Sequence, residues 1–136
     1  MATVVVTNGS VSIDGVDLST DVNRATIEYG AESQDETAFS DTTRIVKGGL
    51  KTWSITVEGH QDMVGATGPN AVLFSNVGSV VALIIKQSTS ATAVTNPSYT
   101  GSGLLTEYSP QQMVQGELQG FRAVFQNAGT LVEALA

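Results

Sequence analysis

Three stretches of this chain alternate apolar and polar side chains with a period of two, and that pattern fixes what they can become. Ala25, Ile27 and Tyr29 are interleaved with Arg24, Thr26 and Glu28; Trp53, Ile55 and Val57 with Thr52, Ser54, Thr56 and Glu58; Phe121, Ala123 and Phe125 with Arg122, Val124 and Gln126. Successive side chains of a strand point to opposite faces, so each stretch reads as a half-buried β-strand. Trp53, Tyr29, Phe121 and Phe125 all fall on the inward registers. Val80 to Ile85 is instead a continuous apolar run of strand length. It predicts a strand buried on both faces at the centre of the core, beneath a helix.

Turn chemistry punctuates the rest. Short strands over Thr3–Thr7, Val11–Ile13 and Val16–Leu18 are separated by Asn8-Gly9 and Asp14-Gly15, dipeptides that favour the positive φ of tight hairpins. A helix of about two turns is expected from Thr67-Gly68-Pro69-Asn70, with proline at its first position and Gly78 as its stop. Its spaced apolar residues are Leu73, Phe74 and Val77. Residues 88–103 are rich in Ser, Thr, Ala and Gly and read as a mobile connection into a strand at Leu104–Tyr108. The last strand is expected to pair with the segment near Met113–Leu118. No internal repeat is present, and 136 residues fit one mainly β domain over 1–136.

Composition narrows the function. The formal charge is −7 and the pI about 4.4, which disfavours a binder that tracks nucleic-acid phosphates. Residues 1–68 hold 10 acidic and 4 basic side chains against 3 and 2 in 69–136, so the acidic field belongs mainly to the first half. Charged residues make up 14% of the chain, below the roughly 25% of an average soluble domain, and such a surface suits an assembling subunit. There is no cysteine, which excludes disulfides and thiolate metal sites. The start lacks the pattern of a signal peptide, and nothing in the sequence is long and apolar enough to span a bilayer as a helix.

Candidate chemistry is sparse. Glu58, His60 and Asp62 stand at i, i+2 and i+4, so an unbroken strand would point all three to one side, as a carboxylate and imidazole metal site requires. Against a metal stand Gly59, which could end the strand, and the lack of a second histidine; the bland alternative is a wet strand edge. His60 is the sole histidine, and no serine sits in a Gly-x-Ser-x-Gly elbow, so a hydrolase triad is poorly supported. Gly65 to Gly68 and Gly48 to Lys51 read as turns, not phosphate loops. Paired acids such as Asp35 with Glu36, or Asp14 with Asp17, read as solvated carboxylates without an EF-hand or a sugar cleft. A carbohydrate platform would want exposed aromatics, and Tyr99 and Tyr108 are the free candidates. Asn8-Gly9-Ser10 matches a glycosylation acceptor but reads as a turn.

The remaining feature is the acidic segment from Glu32 to Arg44, lying between two amphipathic strands. Ordering a long loop costs backbone entropy that some contact must offset, and the expected contact is another protein. Phe39 is an aromatic among Thr, Ser, Asp and Glu. It either tucks onto its own domain or anchors in a neighbour's groove, with carboxylates as the polar rim.

In this order of pieces the chain is similar to the bacteriophage major tail proteins, the subunits of tail tubes. The resemblance rests on the strand ending at Tyr29, the acidic loop from Asp35 to Asp41, Arg44, the Gly49 to Gly59 strand and the short helix before a hydrophobic strand, and covers most of the chain. It implies a β-sandwich or barrel-like tail tube fold with one short flanking helix and a long loop. Six copies would form a ring with inter-subunit sheets around a lumen, rings would stack into a tube, and genomic DNA would pass without specific binding. Residues 30–50 become the stacking loop, with Glu32, Asp35, Glu36, Phe39, Asp41, Arg44 and Lys47 as its contacts. The implied partners are the chain itself and other tail proteins such as the tape measure and the tail terminator, in the virion tail and, during assembly, the host cytoplasm. No cofactor, metal, membrane or enzymatic role is implied. The chain departs from many tail proteins in lacking an appended immunoglobulin-like domain, and its N-terminal hairpins would also suit a related type VI secretion tube or a virion connector subunit. Head-decoration or tail-completion proteins remain alternatives. So do, from other classes, a small-ligand or sugar-binding module and a metal-dependent enzyme using His60.

Overall fold

Asp14 and Gly15 both take positive φ, 53° and 79°, the backbone of a two-residue hairpin turn, and they fold β1 (Ser10–Ile13) onto β2 (Val16–Asp17). The computed structural model describes residues 9–61, 68–93, 96–113 and 115–135. The strand expected over Thr3–Thr7 and the turn residue Asn8 lie outside them, as does Asp62. Beyond the first hairpin come β3 (Val22–Asp35), β4 (Val46–His60), α1 (Pro69–Leu73) running into a 3-10 turn at Phe74–Asn76, β5 (Val80–Lys86), β6 (Ser98–Gln112), β7 (Gly120–Asn127) and β8 (Val132–Ala134).

All the described strand pairs are antiparallel, in the order β2-β1-β5-β6-β7-β4-β3, with β8 sharing the β7 side of β6. The two ends of this order come back together. Val22 N–H donates to the Leu18 carbonyl and His60 N–H to the Asp21 carbonyl, so the turn leaving β2 is stitched to the β3–β4 end of the sheet. Inward residues of β1, β4, β5, β6 and β7 accordingly share one cluster, including Ile13, Ile55, Val57, Leu83, Leu105, Phe121 and Phe125. The result is a rolled, barrel-like sheet with an open cleft between β3 and the β1–β5 side. Each fully buried Leu, Ile or Phe contributes about 1.5–3 kcal/mol by leaving water.

All three alternating stretches form strands, but only β4 and β7 bury their inward rows; in β3 Ala25 and Tyr29 are exposed and Ile27 alone of the three is half-buried. In β4 and β7 burial alternates residue by residue from Trp53 to Gly59 and from Phe121 to Phe125. Gly59 does not end its strand. It is buried against the Asp21 carbonyl, where a side chain would not fit, and β4 continues to His60. The Trp53 indole donates to the Gly129 carbonyl at 2.9 Å.

Several expectations are corrected. The Val80 to Ile85 run is buried on one face only: Val81, Leu83 and Ile85 point inward, while Val80 is 58% and Ile84 40% exposed. Helix α1 rests on Pro69, Val72 and Leu73, leaving Phe74 and Val77 exposed. Residues 88–103 are not all a connection, because β6 starts at Ser98. Its Gly101 and Gly103 permit this, since a Cβ there would stand 3.1 Å from Trp53 and 2.8 Å from Leu83. Finally, β7 pairs with β4 and β6, whereas the described part of 113–119 holds a turn and no strand.

Candidate functional site: a projecting arm and the groove at its base

β3 and β4 stay paired well beyond the core. The inward row runs Ala25↔Val57, Ile27↔Ile55, Tyr29↔Trp53, and the ladder then continues to Asp35↔Val46 with nothing beneath it. Between residues 30 and 52 every side chain is exposed save for the half-buried Asp41. The register shifts once, between Ala31 and Ser33, where Gly49 lies so close to Glu32 and Gln34 that a Cβ would be 3.3–3.4 Å from their side chains. The segment expected as a long loop over 30–50 is therefore mostly a two-stranded arm, and the loop proper is 36–45. From Tyr29 to Asp35 it extends about 20 Å at the usual strand rise.

The tip is held by its own short polar side chains. Asp35 Oδ1 accepts from Thr37 N–H at 3.0 Å, and Asp41 Oδ2 accepts from Ala38 N–H at 2.7 Å. Thr37 Oγ1 accepts from Ile45 N–H at 2.7 Å and donates to the Ile45 carbonyl at 3.2 Å. Arg44 pairs with Asp35 at 3.0 Å. The Thr37 amide, then its hydroxyl, and Arg44 hold the Asp35 carboxyl below its ordinary value. Of the contact residues expected from sequence, Asp35, Asp41 and Arg44 thus hold the tip in shape. Glu32, Glu36 and Lys47 are exposed and make no ion pair among the described residues. Phe39 does not tuck back; it is fully exposed at the end of the arm.

At the base of the arm lies a groove of about 530 Å³ lined by Ile27, Tyr29, Tyr99, Leu131 and Glu133. Tyr29 faces inward by register but is 51% exposed, β3 being the last strand of the described order at this level. The Tyr99 hydroxyl is hydrogen-bonded to Glu133, which, with partial burial and the carboxylate's charge, pushes the phenol above its ordinary value. Tyr108, the other aromatic expected to be free, is half-buried, with its hydroxyl donating to Asn70 at 3.1 Å and accepting from Gln61 at 2.9 Å. Sequence reasoning missed the groove: Leu131 and Glu133 come from the short stretch at and before β8, which carries no period long enough to read. The available signals were Tyr99, expected to be free, and Tyr29, an inward tyrosine without an obvious cover.

Of the candidate metal row, Asp62 lies outside the described residues, and Glu58 and His60 are the members that can be placed. Glu58 lies between two guanidinium groups, 3.8 Å from Arg24 and 3.6 Å from Arg122, and Arg122 also reaches Glu107 at 3.3 Å. Among the described residues no three His, Cys, Asp or Glu side chains converge on a possible cation. The row belongs to a solvated sheet face with Thr26, Thr56, Ser54 and Gln126.

No protein-family model matches the chain, and no curated protein sequence does. Solved structures do match. A chain of the virion of a native gene transfer agent particle superposes with a TM-score of 0.71 at 15% identity, covering 93% of this chain and 95% of that one. The SPP1 tail tube gives 0.68 at 11% identity, covering 93% and 77%. The tail of an empty gene transfer agent particle, computed with C6 symmetry, gives 0.64 at 16% identity, covering 82% and 81%. At such identities what is shared is the architecture, and this mainly β antiparallel sheet with one short helix has the fold of those solved tail structures.

Proposed function

We propose that this chain is the non-enzymatic structural subunit of a phage-type tail tube, a single domain over 1–136 that assembles into stacked rings around a channel. The observation that carries this reading is a hydrogen-bonded arm ending in a fully exposed phenylalanine, on a fold otherwise found in tail particles. A two-stranded ribbon is marginal by itself, so an arm of this length makes sense as an element completed by a neighbour. Residues Glu32, Asp35, Glu36, Phe39, Asp41, Arg44 and Lys47 are then the inter-subunit contact region, some touching the neighbour and some holding the tip. The C6 symmetry of one similar tail supports rings of six.

The polar sheet face suits a channel wall. Both of its arginines, Arg24 and Arg122, have a carboxylate within 4 Å, so passing DNA meets hydroxyls, amides and balanced charge with little to adhere to. Partners under this reading are further copies of the chain and other tail proteins such as the tape measure and the terminator, in the virion tail. No cofactor enters the mechanism, which is assembly.

Electron microscopy of concentrated protein tests it. Rods with a central channel are expected from the intact chain, and a folded, unassembled domain from a chain lacking residues 32–43. Closed rings that never stack would favour a head-decoration or tail-completion role. Material that stays monomeric in the ultracentrifuge at every salt and pH overturns the reading.

A further inference from the structure

We infer that the groove lined by Ile27, Tyr29, Tyr99, Leu131 and Glu133 is the receptor for Phe39 of a second copy of this chain, with Lys47 of the incoming arm placed against Glu133. This rests on the tail tube reading and adds where the arm lands. Phe39 is an aromatic knob in water on a tip whose backbone is already fixed by Asp35, Thr37 and Asp41. Little further order is lost when it docks, and preorganisation of that kind favours association. The groove is its complement: two tyrosine rings, an isoleucine and a leucine around about 530 Å³, space for a phenyl ring and the turn that carries it. Buried aromatic anchors in such pockets are the usual centres of protein interfaces.

A chain does not fill its own groove. Tyr29 and Phe39 stand at opposite ends of the arm, separated by about 20 Å of strand, and the ladder through Asp35↔Val46 keeps the ribbon from doubling back. The occupant comes from another molecule. Charge points the same way. Among the described residues Glu133 is the only charged side chain lining the groove, and covering it lowers the local dielectric, so a cation must arrive with the knob. Three of the chain's six basic residues, Arg44, Lys47 and Lys51, lie on the arm's returning side. Arg44 is occupied by Asp35; Lys47 and Lys51 make no ion pair among the described residues, and Lys47, opposite Gln34, is the nearer to the tip that carries Phe39. Knob and groove are different parts of one surface, so their contact suits head-to-tail association, which builds an open stack when its rotation does not close.

The absence of native cysteine makes cross-linking a clean test. Ser40→Cys chains, which keep the Phe39 ring, and Leu131→Cys chains, mixed, assembled and mildly oxidised, are expected to give a disulfide between position 40 of one copy and position 131 of another, identified by peptide mass. Rods that form with no 40–131 linkage overturn the docking site and leave the tube reading intact. An intact chain that never forms rods overturns both. A charge swap covers the case in which Leu131→Cys fails to fold. Glu133→Lys is expected to raise the protein concentration needed for rods by about tenfold, and adding Lys47→Glu to the same chain to restore it. Rods forming at the unmodified concentration with Glu133→Lys alone, or no restoration by the second change, would sink the pairing.

Discussion

A single strand, β4, is two different objects along its length. From Trp53 to Gly59 its side chains alternate between a dry core and water; from Val46 to Thr52 every one is exposed. The hydrogen-bonded ladder with β3 runs across both halves, with one register shift in each, so strand pairing does not distinguish them. What differs is the third layer. Inward of the body lie β1, β5, β6 and β7, and under the arm lies none of the described residues. Apolar residues in the body therefore stabilise the fold, whereas Phe39 and Leu50 in the arm contribute only if something else covers them.

That contrast is open to direct attack. Phe125→Ala in the body, where the ring is fully buried, should cost about 3–5 kcal/mol, read as a large drop in urea midpoint. Gly103→Ala should cost about 1–3 kcal/mol by overpacking, because its Cβ would stand 2.8 Å from Leu83 and 3.1 Å from Phe125. Phe39→Ala removes a ring of similar size and should change the stability of the free subunit by less than about 0.5 kcal/mol, while abolishing rods. A large loss of stability at Phe39 would erase the distinction between the regions.

The smallest effect concerns acid. The Asp35 carboxyl is depressed by the Thr37 amide, the Thr37 hydroxyl and Arg44, so its contribution to tip order is complete above the unperturbed value of 3.8 and fades as the pH falls through the lower folded value. An NMR titration should show the Thr37 amide shifting only in that acid window, in step with Asp35. A Thr37 amide that loses its protection near pH 6 would show that this carboxylate does not hold the tip.

Wherever a period of two met a turn signal, the fold was legible in the residues. Trp53, Ile55, Val57, Phe121 and Phe125 announced their faces, and Asp14-Gly15 announced its hairpin. Val80 to Ile85 misled because an apolar run reports hydrophobicity and not what covers it; its outer residues are left exposed in the single subunit. Ser98 to Gly103 misled in the opposite sense. Its glycines read as flexibility, yet they are the places where Trp53, Leu83 and Phe125 come close to the backbone of β6. Of the candidate site, the residues of the arm were visible as an odd acidic insertion with one aromatic. The groove was not, because Ile27, Tyr99 and Leu131 are far apart in the chain.

The sequence by itself determined the strand faces, the first hairpin and the segment that would stand apart from the core, since these depend on side-chain alternation and on backbone preferences of neighbouring residues. Only the tertiary structure decided that the acidic insertion is a hydrogen-bonded arm, that Asp35 and Asp41 hold its tip, and that Tyr29 opens onto a groove with Tyr99, Leu131 and Glu133. Those outcomes depend on how far a sheet rolls before its ends meet, a sum of pairings between distant strands that no local pattern encodes.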